Sequence, residues 1–271
     1  MNSFLVLDLE TVLDTSLPPP PKKKSGGDVF PPPPYHTIVA MGAALLDASC
    51  RLRSAWIVSE GRDEFTMLAA LIAFLNAKLA EGIVVTIVTW NGRGFDLPVL
   101  VARCLHHGLA WPWYYETEAR RRYSAHNHID MMDLLVDHGA ARPYGLSLAA
   151  KLIGMPGKLD VNGGNVQAMM DAGEHEQVRA YCVQDVIQTA ALFLRVQLLR
   201  GALSPAGYAI AAEHLLATVE REPRLAPLLP LIDRDRFLIT GGAAELVHEA
   251  SAARQTSRRG WWTKTWGGKT T

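Results

Sequence analysis

An α/β fold is what this 271-residue chain predicts, and three stretches carry the prediction. Residues 5–12, Leu-Val-Leu-Asp-Leu-Glu-Thr-Val, run aliphatic and β-branched with no breaker, as a strand does. Residues 83–90 form an unbroken apolar and β-branched run, the pattern of a buried central strand. Residues 174–199 read as one long helix packed through Val178, Cys182, Val186, Leu192 and Val196.

Composition narrows the function classes. Hydrophobic residues make up 49%, enough for a real core and too many for a disordered chain. The length suits one large α/β domain, or one with a small appendage. Lys plus Arg and Asp plus Glu each number 27, so no global field attracts nucleic acid and any basic surface must be local. The longest apolar stretch, around residues 67–80, is broken by Asn76 and Lys78 and is too short to span a membrane. The chain enters its first strand with no charged leader, apolar core and cleavage site, so a cytoplasmic protein with no membrane association is expected. Cys50, Cys104 and Cys182 are far apart and lack C-x-x-C spacing. Buried, reduced thiols are expected, not a zinc or disulfide site.

In the first strand, alternation puts Asp8 and Glu10 on one face. A buried carboxylate is costly unless it is paired or holds a metal. Either the two acids point to solvent from an edge strand, or they belong to a site. Residues 14–35 follow, with two four-proline runs around Lys22-Lys23-Lys24 and Ser25-Gly26-Gly27. Such runs favour polyproline II geometry, so a solvated loop inserted between two strands is expected. The lysines serve solubility or touch a phosphate backbone loosely.

Residues 37–46 and 50–58, joined by Asp47-Ala48-Ser49, read as a hairpin in which Cys50, Leu52, Ser54, Trp56 and Val58 share a face. Three successive strands therefore form an antiparallel meander. Phe65, Leu68, Leu71, Ile72, Leu75 and Leu79 then recur at helical spacing, and Gly82 ends that helix. The strand at 83–90 delivers Asn91-Gly92-Arg93-Gly94-Phe95-Asp96-Leu97-Pro98. Pro98 suits a first helical turn, and Leu100, Val101, Cys104 and Leu105 continue its buried side. Asp96 stands where a strand end meets a helix start, the usual place for ligand groups in α/β folds, although a plain acidic cap fits too.

Trp111-Pro112-Trp113-Tyr114-Tyr115 and Arg120-Arg121-Arg122-Tyr123 either stack bases and hold phosphates or anchor a loop beside solvated arginines. His126 and His128 lack zinc-site spacing. Ile129 and Met131 alternate with Asp130, giving a fifth strand that runs into a helix at 132–136. Asp130 and Asp133 support a metal site or cap that helix. Ser147 is the expected N-cap of a helix at 148–153, with Lys151 and Lys158 nearby. A loop at 160–165 precedes a short helix at 166–170. On the long helix, Tyr181 and Asp185 are four apart and share a face. An Asp within so apolar a helix asks for a cation, or lies on its wet side. Residues 201–250 read as a helical extension with a helix at 208–219, interrupted by Pro223, Pro227 and Pro230. Residues 251–271 carry Arg254, Arg258, Arg259, Lys264, Lys269, Trp261, Trp262 and Trp266 and read as a flexible basic tail.

Asp8, Glu10, Asp96 and Asp185 thus occupy matched contexts. Acids gathered in one site repel, and divalent cations remove the repulsion. Oxygen donors favour magnesium or manganese over zinc. Two such ions about 3.5–4 Å apart can stabilise both the attacking and the leaving oxygen of a phosphoryl displacement.

The set Asp8-x-Glu10, Asn91-x-x-x-Phe95-Asp96 and Tyr181-x-x-x-Asp185 resembles the three exonuclease motifs of the DEDD superfamily in its tyrosine-bearing (DEDDy) branch. More narrowly it resembles the bacterial 3′-5′ exonucleases related to the proofreading domain of family B DNA polymerases. Supporting segments are residues 128–134, 146–148, 154–158, Gly163-x-x-Val166 and 181–186, and the resemblance spans residues 4 to about 200. It implies a ribonuclease-H-like mixed five-stranded sheet in order 3-2-1-4-5 with strand 2 antiparallel. It also implies 3′-5′ hydrolysis of single-stranded DNA, or of RNA ends, to nucleoside 5′-monophosphates. By resemblance Asp8 bridges two ions, Mg2+ or Mn2+, Glu10 and Asp185 complete one ion's site, and Asp96 holds the second. Tyr181 orients the attacking water, while Asn91 and Phe95 position the terminal nucleotide or the loop beneath it. A polymerase or repair partner acting in trans is the implied company, since this chain has no polymerase-sized remainder. A scaffold on the same fold is the non-catalytic alternative, and loss of a metal carboxylate, its sequence mark, is not seen. The insertion at 14–35 and the extension beyond 200 depart from the pattern without removing any of these residues.

Overall fold

The computed structural model describes residues 2–20, 30–159 and 165–240. Lys22-Lys23-Lys24, most of the loop at 160–165 and the basic tail at 251–271 lie outside these residues.

Five strands form one sheet in the order β3-β2-β1-β4-β5: β1 (Asn2–Leu13), β2 (His36–Leu46), β3 (Leu52–Ile57), β4 (Val84–Thr89) and β5 (His128–Asp130). β2 runs antiparallel to β1 and β3, whereas β1, β4 and β5 are mutually parallel. This is the expected order and polarity. It brings the C-terminal ends of β1, β4 and β5 to one margin of the sheet, where α/β folds place ligands.

Alternation along β1 sorts its side chains between two cores. Leu5, Leu7 and Leu9 are buried with α1 (Glu64–Ala80) and α2 (Asp96–His107), together with Trp111, Trp113 of α3 (Pro112–Glu116) and Ala119. Val6 joins the opposite core, and Asp8 and Glu10 share its parity. That second core holds α4 (Met131–Leu135), α5 (Leu146–Leu152), α6 (Val166–Asp171), α7 (His175–Leu199), α8 (Pro205–Arg221) and α9 (Arg234–Leu238). Burial of Trp111 and Trp113 makes them loop anchors, the second of the two readings of that aromatic run.

α7 passes, by length and composition, as a membrane-crossing helix, so residues 67–80 are not the chain's strongest apolar candidate. Of its most apolar window, 78% is buried inside the fold, which accounts for the composition. It is covered on its far side by the extension: Tyr208, Leu215, Leu225 and Phe237 lie in the same core as Val186 and Phe193. α7 also packs unusually close to β2. A Cβ on Gly42 would lie 2.8 Å from Val186 Cγ2 and 2.9 Å from Cys182 Sγ. The missing side chain at position 42 therefore sets how near α7 sits to the sheet.

Several local expectations change. Cys50, Leu52, Ser54, Trp56 and Val58 do not share a face. The β2–β3 register shifts between Leu45 and Leu46, so Cys50 and Leu52 enter one core while Val58 enters the other. Phe65, Leu79 and Leu105 face outward, because the burial stripes of α1 and α2 run through Met67–Leu75 and Leu97–Cys104. Gly145, not Ser147, is the N-cap of α5.

A buried ion network ties the insertion to the sheet. Arg103 donates from Nε to both Glu64 carboxylate oxygens, at 2.8 and 3.0 Å, and from a terminal nitrogen to Asp14 at 2.7 Å. Glu64 also accepts from the Ile38 backbone at 2.7 Å. The insertion begins and ends together, with Asp14 N donating to Tyr35 O at 2.8 Å.

Candidate active site

Asp8 and Glu10 leave β1 toward α7 near its C-terminal end, where the β1–β2 register slips between Glu10 and Thr11. Such bulges re-aim a strand at its margin. Glu10 is 6% exposed and Asp8 is half-buried. Ligand atoms of Asp8, Glu10 and Cys182 lie within 4.8 Å of one another. The Cys182 thiol donates to the Asp8 carbonyl at 3.5 Å.

Asp96 is the first residue of α2, and Phe95 before it supplies no side-chain cap. The loop that delivers it is tightly wound. Asn91 adopts a left-handed φ of 61°, and its carbonyl accepts from Gly94 and Phe95 at 3.0 and 3.1 Å. A Cβ on Gly92 would collide with Thr89 Oγ1 at 2.2 Å, so only glycine fits there. Asp130 fastens the loop from β5, accepting from the backbones of Asn91 at 3.1 Å and Arg93 at 2.9 Å. It also caps α4 through Asp133 N at 3.1 Å. Of the two roles open to Asp130, it takes the cap and the loop that carries Asp96. Asp133 instead pairs with Arg122 at 2.9 Å and His138 at 3.1 Å. His128 accepts from Arg93 at 3.0 Å and contacts Thr89 Oγ1 at 2.9 Å. Burial drives its pKa down to about 3, so it stays neutral and internally bonded.

α7 contributes Tyr181 and Asp185, 4% and 5% exposed, on the face that meets β1. Two groups that the motif reading did not assign complete the cluster. The Lys158 ammonium donates to the Tyr181 hydroxyl and lies 3.4 Å from Asp185 Oδ2. Its backbone N–H is held by Ser147 Oγ at 3.1 Å, which is the use Ser147 finds in place of capping. Gln188, 1% exposed and one turn beyond Asp185, approaches Asp185 Oδ1 at 3.5 Å. The sequence signal for Lys158 is the supporting segment 154–158, which assigns it no role; Gly157 before it adopts a φ of 77°, which suits a sharp turn. For Gln188 it is an amide on the same helical face as Tyr181 and Asp185.

The electrostatics are those of crowded acid. Burial, then the negative charges of Glu10, Asp96 and Asp185, hold Asp8 well above the carboxylate range, against the pull of Lys158. Glu10 rises by burial and by Asp185. Asp96 is pushed up to about 7, chiefly by burial and also by Asp130, while backbone N–H groups of Asp96 itself and Leu9 pull it down. Burial raises Asp185 as well, opposed by Lys158 and Tyr181. Buried acids with raised pKa values and oxygen donors suit a hard divalent cation, whose charge would offset both the burial cost and the repulsion at Asp8 and Glu10. The residues present fit such an ion.

All of Asp8, Glu10, Asp96, Tyr181 and Asp185 are thus brought to one margin of the sheet, with Asn91 and Phe95 on the loop leading to Asp96. Residues 28–228 match the family described as predicted 3′-5′ exonuclease related to the exonuclease domain of PolB. That range includes Asp96, Lys158, Tyr181 and Asp185. Asp8 and Glu10 precede it, and their membership of the cluster rests on sheet geometry. No curated protein matches the chain. Among solved structures, the family B DNA polymerase from the hyperthermophilic archaeon Pyrobaculum calidifontis shares the fold, with a TM-score of 0.52 and 14% identity over 81% of this chain. The zinc-bound E. coli ExoI–ssDNA complex gives a TM-score of 0.39 and 14% identity over 80% of this chain. This chain spans 29% of the former chain and 45% of the latter.

Proposed function

The chain belongs to the family of predicted 3′-5′ exonucleases related to the exonuclease domain of PolB, and on that footing we propose that it removes nucleotides from the 3′ end of single-stranded DNA as 5′-monophosphates. The observation that carries this reading is the convergence of four acids and a tyrosine from β1, α2 and α7 on one sheet margin, with all four carboxyls raised by burial and those of Asp8 and Glu10 also by neighbouring acids of the set.

Asp8, Glu10, Asp96 and Asp185 would hold one or two magnesium or manganese ions, as in the tyrosine-bearing DEDD branch. Bound there, the ions supply Lewis acidity and a water of lowered pKa. The rest falls to side chains. Tyr181, its hydroxyl raised far above its ordinary pKa by burial and by Asp185, stays protonated and orients the attacking water. Lys158 holds that hydroxyl in place and offers positive charge to the phosphate under attack. Asn91 and Phe95, on the loop fastened by Asp130, position the terminal nucleotide. Asp185 is fixed between Gln188 and Lys158, so it has little freedom to turn away.

Matched 5′-labelled single-stranded DNA and RNA, each with a free or a 3′-phosphorylated end, test the reading. Stepwise shortening of free-ended DNA in magnesium supports it, and cleavage of circular single-stranded DNA contradicts it. Faster shortening of RNA would move the substrate to RNA, because only the sugar 2′-hydroxyl differs along the backbone.

A further inference from the structure

One group among the acids has no part in the proposed chemistry. Cys182 follows Tyr181 on α7 and is fully buried. Its sulfur lies over the place where Asp8 of β1 pairs with Gly42 of β2. The thiol donates to the Asp8 carbonyl at 3.5 Å and stands 3.9 Å from Asp8 Oδ2. A Cβ on Gly42 would lie 2.9 Å from the same sulfur, so only the bare backbone at position 42 leaves it room. Among the described residues, Cys50 and Cys104 belong to no comparable set of donors, whereas Asp8, Glu10 and Cys182 bring their ligand atoms within 4.8 Å of one another. Spacing along the chain hides this set, because Asp8 and Cys182 are 174 residues apart.

Glu10 points into the same space without a partner. It is 6% exposed, yet no donor among the described residues hydrogen-bonds its carboxylate. A buried carboxylate in that condition is costly until a cation meets it. Two carboxylates and a sulfur form a mixed donor set. Magnesium and manganese take the oxygens and pass over a thiol, whereas sulfur selects softer ions. Asp8 is only half-buried, so an ion can reach it from solvent and find the sulfur on its inner side. On binding, the ion replaces the thiol proton, which leaves to water. The same ion would then occupy carboxylates that the hard ions need.

We propose that Asp8, Glu10 and Cys182 form an inhibitory site for a thiophilic divalent cation, which competes with the magnesium or manganese of the reaction. The inhibition rests on the exonuclease reading, and the binding does not. Cadmium titrated into the full chain, free of other divalent ions, tests the binding. Wild type should develop the ultraviolet cadmium–thiolate absorption band with one ion per chain, and excess manganese should diminish it. Cys182→Ser should lose the band, while Cys50→Ser and Cys104→Ser should keep it. Glu10→Gln should bind cadmium about tenfold or more weakly, which separates a three-donor site from a lone thiol. Cadmium-113 NMR of wild type reads sulfur ligation without any variant, whatever the folding of Cys182→Ser. With manganese present, the cadmium concentration that halves cleavage of single-stranded DNA should be about tenfold or more higher for Cys182→Ser. No thiolate band or sulfur-shifted resonance in wild type, a band that survives Cys182→Ser, undiminished cadmium affinity in Glu10→Gln, or equal cadmium sensitivity of the two enzymes would overturn the proposal. A wild type that shows the band but never shortens DNA would leave the cation site standing and remove the exonuclease reading instead.

Discussion

The Lys158 ammonium lies 3.4 Å from Asp185 Oδ2, across from the carboxylates of β1, whose pKa values it lowers. It is a fixed cation inside a cluster that also suits metal. Removing it should therefore have opposite effects on metal binding and turnover. Lys158→Met keeps the aliphatic stem and deletes the charge, so half-activation should need less manganese. kcat should fall about tenfold or more, because Tyr181 loses its anchor and the phosphate loses a counter-charge. A manganese titration under single-turnover conditions separates the two. Weaker manganese affinity together with unchanged kcat would contradict this role.

Stability without metal should fall as pH rises. Asp96 ionises at about 7 in the folded protein against 3.8 ordinarily, and Asp8, Glu10 and Asp185 shift the same way. Between these values the folded state keeps protons that the unfolded chain has released. The stabilisation is complete below about pH 4 and is lost as pH climbs through about 7. Manganese should reverse the trend, since it binds the ionised carboxylates of the folded state. Melting curves from pH 5 to 8 in EDTA and in manganese should diverge with pH. Parallel curves would remove the acids from a common site.

Gly42 is where packing reaches the chemistry. A Cβ there would meet Val186 and Cys182 side chains at 2.8 and 2.9 Å and the Cys182 carbonyl at 3.2 Å. Gly42→Ala should destabilise the fold by about 1–3 kcal/mol. It should also cut turnover more than stability, because α7 carries Tyr181 and Asp185 away from β1. Urea unfolding alongside single-turnover rates checks this. Full activity in a destabilised Gly42→Ala protein would show that the α7 spacing is not critical.

How legible these features were depended on their range. Asp8 and Glu10 announced themselves because strand alternation is local, and Tyr181 and Asp185 because i, i+4 spacing is. The meander of β1, β2 and β3 followed from three strand-like runs in succession ahead of the first helix. Lys158 did not, since its meeting with Asp185 depends on a turn at Gly157 and on Ser147 eleven residues back. Neither did the pairing of Arg103 with Glu64 and Asp14, which joins α2, α1 and the end of β1. The β2–β3 register shift also escaped alternation, because one extra residue leaves the pattern intact on either side. Leu105 misled because a helix's buried stripe is set by what it packs on, and Leu105 is left 84% exposed.

Asp185→Asn most directly tests the central claim that these acids form one metal-dependent hydrolytic site. The measurement is single-turnover cleavage of a 5′-labelled single-stranded oligonucleotide by wild type and variant at limiting manganese, with an EDTA control. Wild type should produce a ladder shortened from the 3′ end and none in EDTA. A folded Asp185→Asn protein should be slower by about a thousandfold or more, with partial recovery in excess manganese. A persistent ladder in EDTA, or wild-type rates from folded Asp185→Asn, would contradict the account.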